Sequence, residues 1–115
     1  MKESELKHAV EEYLQFQQNL GRLLFLRLNA GDFIEARGET RRRIKGCPKG
    51  TADLLVLMWR PFMKQPSIIF FELKSDKGKQ SVGQAEFQQV AVKQGAEYHI
   101  VRSVDEAMEI LGGKA

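Results

Sequence analysis

Asp53 stands at the mouth of the apolar run Leu54-Leu55-Val56-Leu57-Met58-Trp59, and Glu72 and Lys74 close the run Ile68-Ile69-Phe70-Phe71-Glu72-Leu73-Lys74. Both runs are short and rich in Val, Ile, Leu and Phe, as buried strands are. Residues 60–67 read as the connecting loop, because Pro61 and Pro66 would each remove a ladder donor from a strand interior. An antiparallel pair sets the start of one strand beside the end of the next. With the loop centred near position 63, Asp53 falls opposite about residue 73, between Glu72 and Lys74; a bulge would shift this by one. Strand alternation puts Ile68, Phe70, Glu72 and Lys74 on one face, with Glu72 and Lys74 roughly 6.5–7 Å apart.

Such a cluster needs a counter-charge. Two carboxylates about 4 Å apart repel by roughly 4 kcal/mol at an effective dielectric near 20, and apolar strands on either side add a desolvation cost. Lys74 offsets one of the two charges. A hard divalent cation offsets both, and Mg²⁺, with Mn²⁺ as a substitute, suits oxygen ligands and retained waters. Taken singly, Glu72 and Lys74 read equally well as a surface ion pair and Asp53 as a turn cap. The three together favour a metal site, and with it phosphodiester cleavage.

The elements that must hold these residues form a mixed α/β pattern. Leu6, Val10, Tyr13, Leu14 and Gln17 recur at helical spacing and predict a first amphipathic helix. Residues 23–28 read as a strand, and 33–37 with 40–44 as a smaller polar hairpin around Gly38-Glu39. Ser81-Val82-Gly83-Gln84 is a capping box, and Gly95 a stop, for a helix over 82–94. A strand follows over 98–102. Ser103-Val104-Asp105-Glu106 reads as a second capping box, opening a short helix that Gly112-Gly113 ends.

Composition excludes several classes. The chain has 115 residues, enough for one core and too few for two typical domains, and 43% hydrophobic content argues against disorder. Cys47 is the single cysteine, so no internal disulfide forms, and His8 and His99 do not complete a zinc cluster with it. No signal-peptide core or membrane-length run is present, which makes a cytoplasmic protein without a membrane partner the expectation.

Asp53 followed by Glu72-Leu73-Lys74 resembles the signature of the PD-(D/E)XK nucleases: an acid, a variable gap, then acid-x-Lys. More specifically the chain is similar to the VRR-NUC branch of that superfamily, through residues 27–31, 49–55, 71–74, 78–84 and Val101-Arg102 in that order. It departs at Ala52, where the superfamily often has Pro, and at Ser103, where a second Arg is expected. The resemblance implies a restriction-endonuclease-like α/β core, a mixed β-sheet flanked by helices, formed by residues 1–115 as one nuclease domain. It also implies that Asp53, Glu72 and the Leu73 carbonyl hold the metal, that Lys74 and Gln84 take part in catalysis, and that the first helix supplies a further acid. Glu3 fits that acid's spacing ahead of Leu6, on the helical side of Leu6 and Val10, better than Glu5 does; either could instead stabilise the helix N-terminus.

Charge points to the partner. Residues 37–49 carry six basic side chains (Arg37, Arg41, Arg42, Arg43, Lys45 and Lys49) against Glu39, a local +5 in a chain of +3. Lys77 and Lys79 add a second cluster just after Lys74. A solvated charge run is the plainer reading of the arginines alone; beside a metal site they suit phosphate contacts to DNA. Stand-alone proteins of the family resembled act as homodimers on four-way junctions, so this chain is expected to be a Mg²⁺-dependent resolvase of branched or duplex DNA. A sequence-specific restriction-type nuclease and a non-catalytic DNA-binding module are the alternatives, and the apolar Pro61-Phe62-Met63 loop is a candidate dimer surface.

Overall fold

The computed structural model describes residues 2–112. Its first element follows from the helical spacing of Leu6, Val10 and Leu14: α1 (Glu3–Asn19) buries these three completely and leaves its other side to solvent. The chain then forms β1 (Leu24–Arg27), β2 (Asp32–Arg37), β3 (Thr40–Lys45), β4 (Leu54–Arg60), β5 (Gln65–Leu73), α2 (Val82–Lys93), β6 (Glu97–Val101) and α3 (Val104–Ile110). Among the described residues, no helix is long and apolar enough to cross a membrane.

Four strands make one mixed sheet in the order β1-β4-β5-β6, antiparallel except for the β5–β6 pair. The β5–α2–β6 segment is therefore a crossover unit, in which a helix returns the chain to a parallel position. α1 and α3 pack on one face. There Phe25, Val56, Leu54, Ile69, Phe71, Leu73 and Val101 meet Leu6, Val10, Leu14, Ala107 and Leu111 in the core. α2 lies against the other face, where Phe87 stands edge-on to Phe70 with ring centroids 5.0 Å apart.

The central hairpin is tighter than its two prolines suggest. Only residues 61–64 form the turn, Lys64 taking a left-handed φ of 52°, and Pro66 lies inside β5 opposite Trp59. Pro66 is tolerated there because the parallel partner β6 begins only opposite Ile69, leaving one side of β5 unpaired at that point. The register Leu54↔Phe71 then carries Asp53 opposite Glu72, one residue short of the predicted position.

Local signals account for the helix ends. The Ser81 side chain accepts from the Gln84 N–H, and the Gln84 side chain accepts from the Ser81 N–H, closing the predicted capping box. The second box is only half formed. Ser103 accepts from the Glu106 N–H, but the Glu106 carboxylate reaches past Ser103 to the N–H of Arg102 at 2.9 Å. Of the predicted stop for α3, Gly112 follows the helix and Gly113 lies outside the described residues.

β2 and β3 form a separate two-stranded arm inserted between β1 and β4. Among the described residues it packs against no other helix or strand, and all its own residues but the half-buried Glu35 are exposed. Its root is pinned by backbone bonds between residues 29–31 and 46–47. A side chain at Gly46 would overlap the Asn29 and Gly31 carbonyls, 2.3 and 2.5 Å from its first carbon. The arm gives the molecule its length, 53 Å against 30 Å in the other two directions.

Candidate nuclease site

The sheet end from which the arm springs is where the acids collect. Leu28 donates to the Asp53 carbonyl at 2.8 Å, and Asp53 donates to the Phe71 carbonyl at 3.1 Å, so Asp53 is locked between β1 and β5. Its carboxylate turns across and accepts from the Leu73 N–H at 2.7 Å. Because N–H and C=O of one strand residue point to the same side, the Leu73 carbonyl is directed toward Asp53 as well. Lys74 belongs to the opposite side, its N–H bonded to the Val101 carbonyl of β6.

Glu72 is 2% exposed. Its Oε2 accepts from Gln84 Nε2 at 3.0 Å and lies 4.0 Å from Lys74 Nζ. Its Oε1 is buried with no hydrogen-bond partner among the described residues. Such an orphan acceptor costs about 1–3 kcal/mol or more for a charged group. Burial, first, and then the charge of Asp53 push the Glu72 carboxyl up to about 8; Lys74 pulls the other way, and Glu3 adds a smaller push upward. The two carboxyls are therefore neighbours that cannot both ionise comfortably without a counter-charge.

Gln84 arrives through a close backbone contact. Gly50, at a φ of +95°, would carry a side-chain carbon only 2.7 Å from the Gly83 carbonyl. Two glycines thus let the loop that leads to Asp53 touch the first turn of α2. The capping box fixes the Gln84 backbone and side chain, and the same side chain donates to Glu72.

The predicted residues are thus sorted by distance. Asp53, Glu72, Lys74 and Gln84 come together, with the Leu73 backbone between them. Glu3 acts on the charge of Glu72. Among the described residues no three His, Cys, Asp or Glu side chains are grouped closely enough to hold an ion by themselves. Any ion here would rely on two carboxylates, backbone oxygen and water.

The basic stretch differs most from its reading in sequence. In the arm, Glu35 is paired with Arg37 and with Arg42 (3.2 Å), and Asp32 with Arg43 (3.2 Å). Residues 32–45 hold five basic and three acidic side chains, a net +2. The cross-strand register sets Glu35 opposite Arg42 and Ile34 opposite Arg43, so Arg41, Arg43 and Lys45 share one face and Arg37 and Arg42 the other. Arg41 and Lys45 have no acidic partner among the described residues. Lys49 precedes Gly50 at the acid end, and Lys77 and Lys79 lie on the loop that follows Lys74.

Two residues of the site were not singled out for a role in the sequence. Arg102 sends Nη1 to the carbonyls of Ser75 (2.6 Å) and Gly78 (2.9 Å), clasping the loop that leaves Lys74. Tyr98 borders the acids: burial raises its pKa above the ordinary value, the hydrogen bond its hydroxyl accepts from Gln80 at 3.2 Å works against this, and the charges of Glu72 and Asp53 add a smaller push upward. The sequence signal for Arg102 was its place beside Val101, without a contact to explain it.

A solved structure titled "VRR_NUC domain" matches this architecture with a TM-score of 0.61, at 22% identity, over 100% of this chain and 99% of that one. The fold is that of a VRR_NUC domain. The VRR_NUC fold is restriction-endonuclease-like, a mixed sheet flanked by helices, as the sequence led us to expect. A scan with family sequence models finds no match. Comparison with curated protein sequences finds none either. At this level of identity the VRR_NUC likeness speaks for the fold, and the chemistry must be argued from the side chains.

Proposed function

We propose that the chain is a member of the VRR-NUC family of PD-(D/E)XK nucleases and a metal-dependent endonuclease that hydrolyses DNA phosphodiesters. One observation carries this reading: two neighbouring carboxyl groups at a sheet end, one of them buried with an unpartnered oxygen and its ionisation pushed up to about 8. A protein that buries one acid beside another with a single ammonium to face the pair invites a further cation from solution. The donor set, all oxygen, fits Mg²⁺ or Mn²⁺ and no softer metal. Asp53, Glu72 and the Leu73 carbonyl would hold the ion, with Glu3 adding negative potential from the first helix. Bound there, the metal supplies an acidified water and positive charge for the phosphoryl oxygens.

The chain's own groups do the positioning. The Leu73 N–H fixes one oxygen of Asp53, and Gln84 fixes one oxygen of Glu72. Lys74, with its side chain 14% exposed beside Glu72, orients the attacking water or neutralises phosphate charge. Arg41, Lys45 and Lys49, followed by Lys77 and Lys79, line the approach as phosphate contacts. Arg37, Arg42 and Arg43 serve there only by exchanging their carboxylate partners for phosphate. A homodimer acting on four-way junctions is the form of the activity we favour, since paired symmetric nicks suit a two-fold enzyme.

The test is cleavage of synthetic junction, flap and linear duplex across a Mg²⁺ titration. Paired nicks in the junction alone are expected, and Asp53→Ala or Lys74→Ala should lower the rate at least a thousandfold with circular dichroism unchanged. Cutting by purified Asp53→Ala at the wild-type rate would end the assignment. Sequence-dependent duplex cuts would mark a restriction-type enzyme, and salt-sensitive binding without cleavage a non-catalytic module.

A further inference from the structure

The second face of the four-stranded sheet is only half covered. α2 shields its β5–β6 side, where Phe87 contacts Phe70 and Tyr98. Beyond it, Leu24, Leu57 and Ile68 form one cross-strand row, Leu26 begins the next, and Trp59 stands opposite Pro66. On the first face, the neighbours Phe25, Val56 and Ile69 are at most 9% exposed, whereas Leu24, Leu26, Leu57, Trp59 and Ile68 are 39–59% exposed. Exposed leucines scattered singly are ordinary; five large apolar side chains contiguous on a flat sheet are not.

We propose that this face packs against the same face of a second copy of the chain, in a two-fold dimer. The inference rests on the homodimer of the preceding reading and gives it a surface. Size favours it first. These five side chains present on the order of 400 Å² of apolar surface, about half of the ~800 Å² per partner that a standard interface buries and close to its usual apolar share. Charge favours it next. No cation lies in the patch, so it has nothing to offer a nucleic acid, whereas an isologous contact sets apolar rows on apolar rows without bringing like charges together.

Edge pairing is the competing way to join two sheets, and β1, beside this patch, is one of the two edge strands, β6 being the other. Its Phe25 N–H is already taken by Gln18 Oε1 at 2.9 Å, so the ladder cannot extend there. Face packing, at the ~10 Å separation of stacked sheets, covers the apolar side chains that pairing at either edge would leave exposed. Trp59 is the natural anchor. The turn at Phe62 and Met63, read from sequence as a dimer surface, lies at the end of this patch, next to the Trp59–Pro66 row.

Sedimentation equilibrium, without DNA or Mg²⁺, measures the mass directly. The wild type is expected at twice the 13.1 kDa of one chain. The double variant Leu57→Glu, Trp59→Glu should fall two-fold in mass with an unchanged far-ultraviolet spectrum. Val82→Glu, an exposed change on α2, should remain dimeric. If the first pair fails to fold, Leu24→Ser with Ile68→Thr is the substitute. A wild type of single-chain mass at every concentration overturns the proposal, as does a dimer unaffected by either pair. A monomeric wild type whose junction binding is lost in these variants would show that DNA covers the face, and it overturns the proposal equally. Cleavage plays no part in the readout, so the nuclease reading and this surface stand or fall separately.

Discussion

Glu72 is the side chain on which the site turns, and its burial has consequences for pH. Its folded pKa of about 8 lies above the ordinary 4.5, so between those values the folded chain holds a proton that the unfolded chain has lost. The stability from this group is therefore complete below about pH 4.5, declines as pH rises and is gone above about 8. At ~1.4 kcal/mol per pKa unit this amounts to several kcal/mol. Chemical denaturation in chelator at pH 5 and pH 9 should show that loss in wild type and a much flatter profile in Glu72→Gln. Divalent metal displaces the same proton, so calorimetry should find Mg²⁺ binding tightening up to about pH 8 with release of a proton. Arg102 is the second residue with a sharp expectation. Charge-assisted hydrogen bonds such as those it makes to Ser75 and Gly78 are worth about 1.5–3 kcal/mol each. Arg102→Ala should speed amide exchange in residues 75–79 and lower cleavage about tenfold or more, and Arg102→Lys should restore only part of it.

At the scale of elements, the arm separates what could be read in sequence from what could not. Strand alternation, the Ser81–Gln84 box and the Asp53–Glu72–Lys74 convergence are short-range patterns, and the chain follows them to within a residue. The register slipped by one because the turn closes over four residues, with Lys64 left-handed and Pro66 kept in the strand. The basic run looked like an undivided cationic patch, because Asp32 and Glu35 lie before it in the chain and meet it only across the hairpin. The reach of Arg102 into residues 75–78 is likewise a tertiary fact with no local trace. Pairing gives the arm's cations unequal value. Arg42 already has a carboxylate, and exposed ion pairs are worth only about 0–1 kcal/mol, so it gains less from a phosphate than Arg41 does. Arg41→Ala and Lys45→Ala should therefore each weaken DNA binding more than Arg42→Ala, and each should lower the slope of log affinity against log salt by about 1. Equal losses from all three would show that the ion pairs dissolve on binding.

For the molecule as a whole, the arm and the sheet divide the work, and that division can be cut. Among the described residues the arm packs on no other helix or strand, and an isolated two-stranded ribbon adds little stability of its own. The core clusters instead between the sheet and α1 and α3, without any residue of β2 or β3. The arm's root lies where β1 ends and β4 begins, at the end of the sheet that carries Asp53, so its cations project from the site rather than from the far side. Replacing residues 31–46 by a short glycine-serine link should then leave the fold standing, with a melting temperature within a few degrees of wild type, since shortening the loop changes closure entropy by only about 1 kcal/mol. Mg²⁺ binding at Asp53 and Glu72 should survive. DNA affinity should fall at least tenfold, with a salt slope shallower by about 2, matching the net +2 of residues 32–45. Calorimetry of the metal and a salt series of DNA binding on one preparation make the comparison. Loss of metal binding together with the arm would show instead that the arm shapes the site, and that the sheet end alone does not hold the acids in place.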